Sequence, residues 1–376
     1  MKFCTWGNIA SALDGKTDGG GELQIAMLVK ILARSGHEVT VIDYNVNEDY
    51  VTPDGVKVLH INGWNDGVRF LRIFTHRIPH LYRELKSQKA DVYYCQIRDF
   101  RHIVAYQAAR KTGGKFAIQL ASNLDAMNFR MRLKHDYLTD IGGLWWFVRV
   151  IMTELYFPKL LRNADLVLVQ HEGQKKMLED KGIKSVVFNN LFDNRKVTLN
   201  GTLKRKCFCY VGALDRRKGF KEFYDLVNKV PDLHFEVIGQ PRDRTGYLYF
   251  EMLKSFRNVT LHGKLGHSDT MRLISESLAL VSTSPMEGFP NIFVEAWACG
   301  IPVLSLSFDP GSIIEKEKLG FVAHGNLDAL ADQLRLVRED KQFSEKAKDY
   351  VINNHALTIE KIKEVNSIFL DLASSK

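Results

Sequence analysis

Cysteine is scarce in this chain of 376 residues and odd in number: Cys4, Cys95, Cys207, Cys209 and Cys299. An odd set lying mostly in strand-like, apolar contexts argues against a disulfide framework, and no Cys/His cluster has metal-site spacing. Long hydrophobic runs are missing as well. No stretch approaches an uninterrupted membrane span, and the start, Met-Lys-Phe-Cys-Thr-Trp-Gly, has no apolar core of a secretion signal. The sequence thus predicts neither secretion nor a transmembrane anchor, and a reducing, cytoplasmic compartment. Internal repeats and low-complexity tracts are absent too.

What is present is ordinary for a soluble globular protein: 45% hydrophobic and 26% charged residues. The length suits about two domains, each able to bury its own core. A net charge of +8 points to an acidic partner, whether nucleotide, membrane surface or nucleic acid. Nucleic acid is the weakest of the three, because the basic residues are dispersed and the usual binding motifs are lacking.

Strand-like and helix-like segments alternate along the whole chain, the pattern of parallel sheets covered by helices. Helical spacing runs from Glu22 to Arg34, followed by the strand Glu38 to Ile42. Val92 to Cys95, Phe116 to Leu120 and Leu166 to Val169 read as further buried strands. The second half supplies Cys207 to Val211, His234 to Ile238, Val259 to His262, Leu278 to Ser282 and Val303 to Leu306. Between the two series lies the polar, basic stretch Asn194 to Lys206, read as a linker. The expected division is an N-terminal Rossmann-like domain, 1–194, and a C-terminal one, 195–356. The amphipathic tail, about 357–376, is expected to pack back on the first.

Three constellations carry chemistry. Glu287-Gly-Phe-Pro-Asn-Ile-Phe-Val-Glu295 follows a buried strand and enters a helix closed by Gly300 and Pro302. Ligands of open α/β sheets sit at the carboxyl ends of strands, where helix N-termini favour anions. Each carboxylate also suits the vicinal hydroxyls of a sugar. Either glutamate alone is equally at home on a helix surface. The second constellation, Gly212-Ala-Leu-Asp-Arg-Arg-Lys-Gly219, sets Arg216, Arg217 and Lys218 before a helix N-terminus, against its dipole. A solvated turn tolerates that conflict; a bound diphosphate removes it. The third, Asp18-Gly19-Gly20-Gly21-Glu22, permits close backbone approach but is neither a dinucleotide fingerprint nor a Walker loop.

Glu287 to Val303 resembles the E-x7-E signature of the family 4 glycosyltransferases, a retaining group with the GT-B fold. Other landmarks follow in order: Gly19-Gly20, Ser35-Gly-His-Glu-Val39, Asn163 to Val169, Val211-Gly with Lys218-Gly219, Val237-Ile-Gly239, Leu261 to Leu265 and Gly320-Phe-Val322. The resemblance implies two Rossmann-like domains facing a cleft. It also implies roles, position by position. Glu295 would hold the nucleotide ribose, and Glu287 the donor sugar near the reacting carbon. Lys218 would neutralise the departing diphosphate. Amides at Phe289, Pro290 and Asn291 would line the sugar-phosphate pocket, with Gly263, Lys264 and Leu265 along the base. Gly20 and Gly21 would close over the phosphates. The reaction implied needs no metal and no cofactor beyond the nucleotide-diphosphate sugar as co-substrate.

Two positions depart from the family pattern. Ala213 stands where a second diphosphate-binding arginine is frequent, leaving Arg217 or Arg216 as substitutes. No histidine follows the first-domain strand ending at Leu120; Ser122, Asn123 and Asp125 occupy that place. With Arg98, and with Asp99 and His102 behind the strand at Val92, they are the acceptor-side candidates, although isolated polar residues in such loops are more often structural. Asn128 to Arg162 is basic and holds Trp145, Trp146 and Phe147, which fits a buried helix hairpin or an element resting on an anionic bilayer.

The expectation is a glycosyltransferase moving a hexosyl unit to a hydroxyl of a glycan or lipid-linked saccharide, in polysaccharide or glycoconjugate biosynthesis. Its partners would be a nucleotide-sugar donor, the acceptor and possible contact with an anionic membrane surface from the cytoplasmic side, with no nucleic acid. A sugar-nucleotide epimerase of the same fold, or a non-catalytic sugar-nucleotide-binding protein, is the alternative.

Overall fold

The computed structural model describes residues 1–16, 19–69, 71–127, 144–194 and 205–375; for 144–149 it describes the backbone alone. The chain divides into two units, one of Met1–Leu191 with Thr358–Lys376, the other of Phe192–Leu357.

The first unit is built on eight strands: β1 (Lys2–Gly7), β2 (Glu38–Asp43), β3 (Tyr50–Val51), β4 (Lys57–His60), β5 (Val92–Gln96), β6 (Lys115–Gln119), β7 (Leu166–Val169) and β8 (Val186–Val187). Their order in the sheet is β3-β4-β2-β1-β5-β6-β7-β8, and only the β3–β4 pair is antiparallel. The central strands are apolar on both sides because helices cover both faces; every residue of β5 is buried. One face packs Trp6, Tyr93, Cys95 and Phe116 against helices that include Ile78–Gln88 and His102–Thr112. On the other, Phe369 of the C-terminal helix Ile359–Ser374 meets Phe3 edge-on at 5.3 Å and Tyr94 at 6.0 Å. Chain order runs outward from β1 to β2 and β4, then returns to β5, so the topological switch lies between β1 and β5.

The second unit carries β9 (Cys207–Val211), β10 (Phe235–Ile238), β11 (Val259–Gly263), β12 (Ser277–Ser282), β13 (Val303–Ser305) and β14 (Gly320–Val322). All pairs are parallel, in the order β11-β10-β9-β12-β13-β14. Counted from the first strand this is 3-2-1-4-5-6, the Rossmann arrangement, with its switch between β9 and β12. Two separate cores flank the sheet. Phe208, Phe220, Phe223 and Phe235 fill one, and Phe293, Trp297 and Val351 the other.

The strands expected from the sequence appear within a residue or two of their expected bounds. The structure adds β1, β3, β4, β8 and β14. Two of these, β3 and β8, are two residues long, too short for any periodicity to show. Within the stretch read as a linker, 195–204 lie outside the described residues, as do the side chains of Trp145, Trp146 and Phe147.

Candidate functional site

The second unit's switch point is where two strand-to-helix loops diverge, and Lys218 from one meets Glu287 from the other. Behind β9, the buried Asp215 carboxylate caps a single 3-10 turn, Arg216–Lys218, accepting from the Lys218 amide at 3.0 Å. Its other oxygen takes the exposed Arg217 guanidinium at 3.0 Å. The Lys218 carbonyl receives the Tyr210 hydroxyl at 3.2 Å and the Thr283 hydroxyl at 3.1 Å; Thr283 also reaches the Gly219 carbonyl at 2.7 Å. Burial pushes the Tyr210 phenol up, so it stays a donor. Gly219 turns the chain with φ +66°, and a Cβ there would lie 2.1 Å from the Thr283 carbonyl oxygen. The backbone of Lys218 is therefore fixed from both sides before any ligand arrives.

Behind β12, Glu287 faces that lysine, and the Lys218 amine donates to the Glu287 carboxylate. The pair is half-buried and lines a small pocket with Tyr210, Ser282, Ser284 and Pro290. An ammonium has three N–H donors, so two remain for a further acceptor. Pro290 then starts the helix Asn291–Ala298, whose N-terminus no side chain caps. Phe289 turns its ring inward, 4.9 Å from His355 and 6.2 Å from Trp297, so it offers the site backbone rather than ring. One turn into the helix, the buried Glu295 lies 3.3 Å from Nε2 of His267. His267 opens the helix His267–Ser275 after Gly263, where β11 ends, and the loop of Lys264, Leu265 and the capping Gly266. Gly263 has φ +68° and open space where a side chain would stand. Glu287 with Lys218, and Glu295 with His267, are thus two carboxylate stations along one edge of the sheet. His267 is the partner that sequence reading missed; a lone histidine in a polar loop gives no periodic signal. Ala213 places no cation in its loop.

In the first unit, Gly20 and Gly21 open the helix Gly20–Arg34. The Glu22 carboxylate folds back over Gly19, so that a Cβ there would sit 1.8 Å from it. This helix N-terminus already has an anion of its own. The acceptor-side candidates lie behind β5 and β6, where Arg98 reaches the Asp125 carbonyl at 3.4 Å. Ser122 caps the short helix Asn123–Ala126, and Asp125 accepts from the Ala121 and Ser122 amides at 2.9 and 3.0 Å. Asn123 meets His171 Nε2 at 3.0 Å. Arg98 pairs with Glu154 at 2.7 Å over the Phe157 ring, and Asp99 holds Arg101 in a fork. Burial lowers the His102 imidazole, which bonds the Ile97 carbonyl at 2.9 Å. Among the described residues no group of three His, Cys, Asp or Glu is arranged to hold a metal ion, and no helix is long and apolar enough to cross a membrane.

The chain resembles solved structures along its whole length. Sucrose-phosphate synthase from Thermosynechococcus elongatus aligns over 100% of both chains with a TM-score of 0.78 at 15% identity. TarM of S. aureus, in a complex that includes UDP, aligns over 100% of both chains at 0.71 and 12%. Anabaena HepE, with UDP and glucose, does so at 0.69 and 16%. The fold is GT-B. Residues 193–354, nearly the whole of the second unit, match the sequence model of the family described as Glycosyl transferases group 1. No curated protein matches the chain. Within the GT-B fold, the matched residues include Lys218, Glu287 and Glu295.

Proposed function

We propose that the chain is a retaining, metal-independent glycosyltransferase of family 4. It moves a hexosyl unit from a nucleotide-diphosphate sugar to a hydroxyl of a glycan or lipid-linked saccharide, in polysaccharide or glycoconjugate biosynthesis. The observation that carries this reading is the Lys218–Glu287 contact at the switch point of the second unit. The nucleotide ligands of the TarM and HepE structures and the family match over 193–354 support it.

In this reading Lys218 keeps one N–H on Glu287 and turns its other two toward the diphosphate. The bond from the anomeric carbon to the phosphate oxygen breaks as the acceptor oxygen bonds to the same face of that carbon. The acceptor's proton passes to the leaving phosphate oxygen. The negative charge that builds on the phosphate is met by Lys218 and the helix N-terminus after Pro290, both fixed in advance, and by the exposed Arg217. Glu287 accepts hydroxyls of the donor sugar, and Glu295 the ribose diol.

The acceptor side is assigned to the first unit, working at an anionic membrane surface from the cytoplasm. What supports the membrane is the stretch behind β4. Val68, Leu71 and Phe74 are 65%, 55% and 45% exposed, at helical spacing, among Arg69, Arg72 and Arg77. Burial, and then the Arg72 and Arg101 charges beside it, lowers the Arg77 guanidinium.

A thermal-shift panel of nucleotide-diphosphate sugars, run with and without a chelator, tests the donor and the absence of metal together. One donor should stabilise the chain strongly and equally in both. Glu287→Ala should lower turnover by about a hundredfold or more while nucleotide stabilisation persists. Unchanged turnover removes the role given to Glu287.

A further inference from the structure

The first unit has its own switch point, between β1 and β5, and there a buried side chain has no bonding partner. Gln96, the last residue of β5, is 4% exposed, and among the described residues neither its Oε1 nor its Nε2 meets a hydrogen-bond partner. Leaving a buried carboxamide unsatisfied costs roughly 1–3 kcal/mol, so native chains seldom keep one without a use. By strand alternation Gln96 shares a sheet face with Tyr94, and Tyr94 is in register with Thr5, whose buried hydroxyl is also unpartnered. On β6 the register partner of Gln96 is Gln119, whose Oε1 is already taken by the Tyr94 hydroxyl. The β1 register, continued two residues, brings Gly7 level with Gln96, a position with no side chain to satisfy it.

The next residue carries strain. Ile97 has φ +74°, a left-handed conformation that costs a β-branched residue of the order of 1–2 kcal/mol. His102 holds it there, since carbonyls only accept: the ring's Nε2–H donates to the Ile97 carbonyl at 2.9 Å and the Gln96 carbonyl at 3.2 Å. Across from it, a Cβ on Gly21 would stand 3.0 Å from the Ile97 side chain. An orphaned amide and a strained β-branched residue side by side at a switch point mark a site that is shut in the free chain.

The charges around it define the ligand. Asp43 is saturated by the amides of Ile9, Ala10 and Asn45 at 2.6, 2.7 and 2.8 Å. Arg98 is paired with Glu154 and Arg101 with Asp99. Each of these charged side chains is already matched, so none of the three is left to recruit a phosphate or a carboxylate. A carboxamide offers one acceptor and one donor group, the complement of a sugar hydroxyl, which donates and accepts at once. We propose that Gln96 is a specificity-determining residue that binds a hydroxyl of an uncharged saccharide, with Ile97 leaving its left-handed conformation as the saccharide enters. The inference rests on reading the first unit as the acceptor side.

Saturation-transfer NMR of the full chain with methyl α-glucopyranoside and methyl β-galactopyranoside, and with glucuronate as the charged comparison, tests it. At least one neutral glycoside should bind and glucuronate should not. Gln96→Leu should abolish that binding with the melting temperature unchanged or raised and with stabilisation by nucleotide sugars unaffected. Ile97→Gly, which tolerates positive φ, should weaken glycoside binding about tenfold by removing the strain that opening releases. Equal binding by Gln96→Leu, or no binding of any neutral glycoside, overturns the proposal and leaves the amide to a buried water only. Loss of nucleotide-sugar stabilisation in the parent chain would overturn the donor reading instead, and the glycoside result stands apart from it.

Discussion

Gly219 is the residue on which the geometry of the second unit's site turns. Its positive φ and the 2.1 Å approach to the Thr283 carbonyl leave no room for a methyl group. Gly219→Ala should therefore cost about 2 kcal/mol or more in a urea titration, and should lower turnover further by displacing Lys218 next door. The Val-Gly and Lys-Gly pairs were legible in the sequence; Thr283 and Tyr210, which fix the lysine through its carbonyl, were not. They lie 65 and 8 residues away in sequence and touch it only through backbone atoms. In the first unit, His102 predicts a pH effect with a definite sign. Burial, which outweighs the attraction of Asp99, lowers its pKa in the folded chain from the ordinary 6.5. The unfolded chain then binds the proton more readily. The contribution to stability is complete above about pH 6.5 and falls away as the pH drops toward the lowered folded value. Arg101 acts in the same direction as burial. Urea midpoints between pH 5 and 8 should show the loss on the acid side, and His102→Gln should flatten that part of the difference.

At the scale of elements, the long amphipathic helices and apolar strands were readable because burial on one or both faces imposes a period. The helix Gly20–Arg34 and the strands β9 to β13 are of this kind. The segment behind β4 is not. It enters a π-helical turn, Ile73–Arg77, before the helix Ile78–Gln88, and its apolar residues face outward, so the same alternation that marks a core marks here a surface. Sequence reading placed the membrane-facing candidate at Asn128 to Arg162 because tryptophans and cations cluster there. In the helix Leu144–Asn163, Ile151 and Leu155 are exposed one turn apart, so that candidate is not displaced. The two segments give separable predictions. Leu71→Glu with Phe74→Glu should reduce co-sedimentation with anionic phosphatidylglycerol vesicles at least tenfold and leave thermal stability within about 0.5 kcal/mol, as expected for exposed positions. Undiminished binding moves the membrane contact to the helix Leu144–Asn163.

At the scale of the whole molecule, the first unit is not continuous in sequence: Thr358–Lys376 belongs to it although the entire second unit intervenes. The amphipathic spacing of Ile359, Ile362, Val365, Ile368 and Phe369 is legible, and the tail is expected to pack on the first domain; which of these residues is buried, and against which side chains, is not, because periodicity defines a face and not its individual contacts. The structure buries Val365, Phe369 and Leu372. Phe369 closes a cluster with Phe3, Tyr94 and, at 6.4 Å, Phe188. Phe3 and Tyr94 stand on β1 and β5, the two strands that flank the first unit's switch point. Truncating a fully buried phenylalanine costs about 3–5 kcal/mol, enough to loosen a marginally stable unit. Phe369→Ala should therefore strip hydrogen-exchange protection from β1 and β5 while β9 and β12 keep theirs, because the second unit has two cores of its own. Nucleotide-sugar stabilisation should persist in this variant and glycoside binding at Gln96 should fall. Equal loss of protection in both units would mean that their stabilities are coupled, and that the C-terminal helix supports more than the sheet it covers.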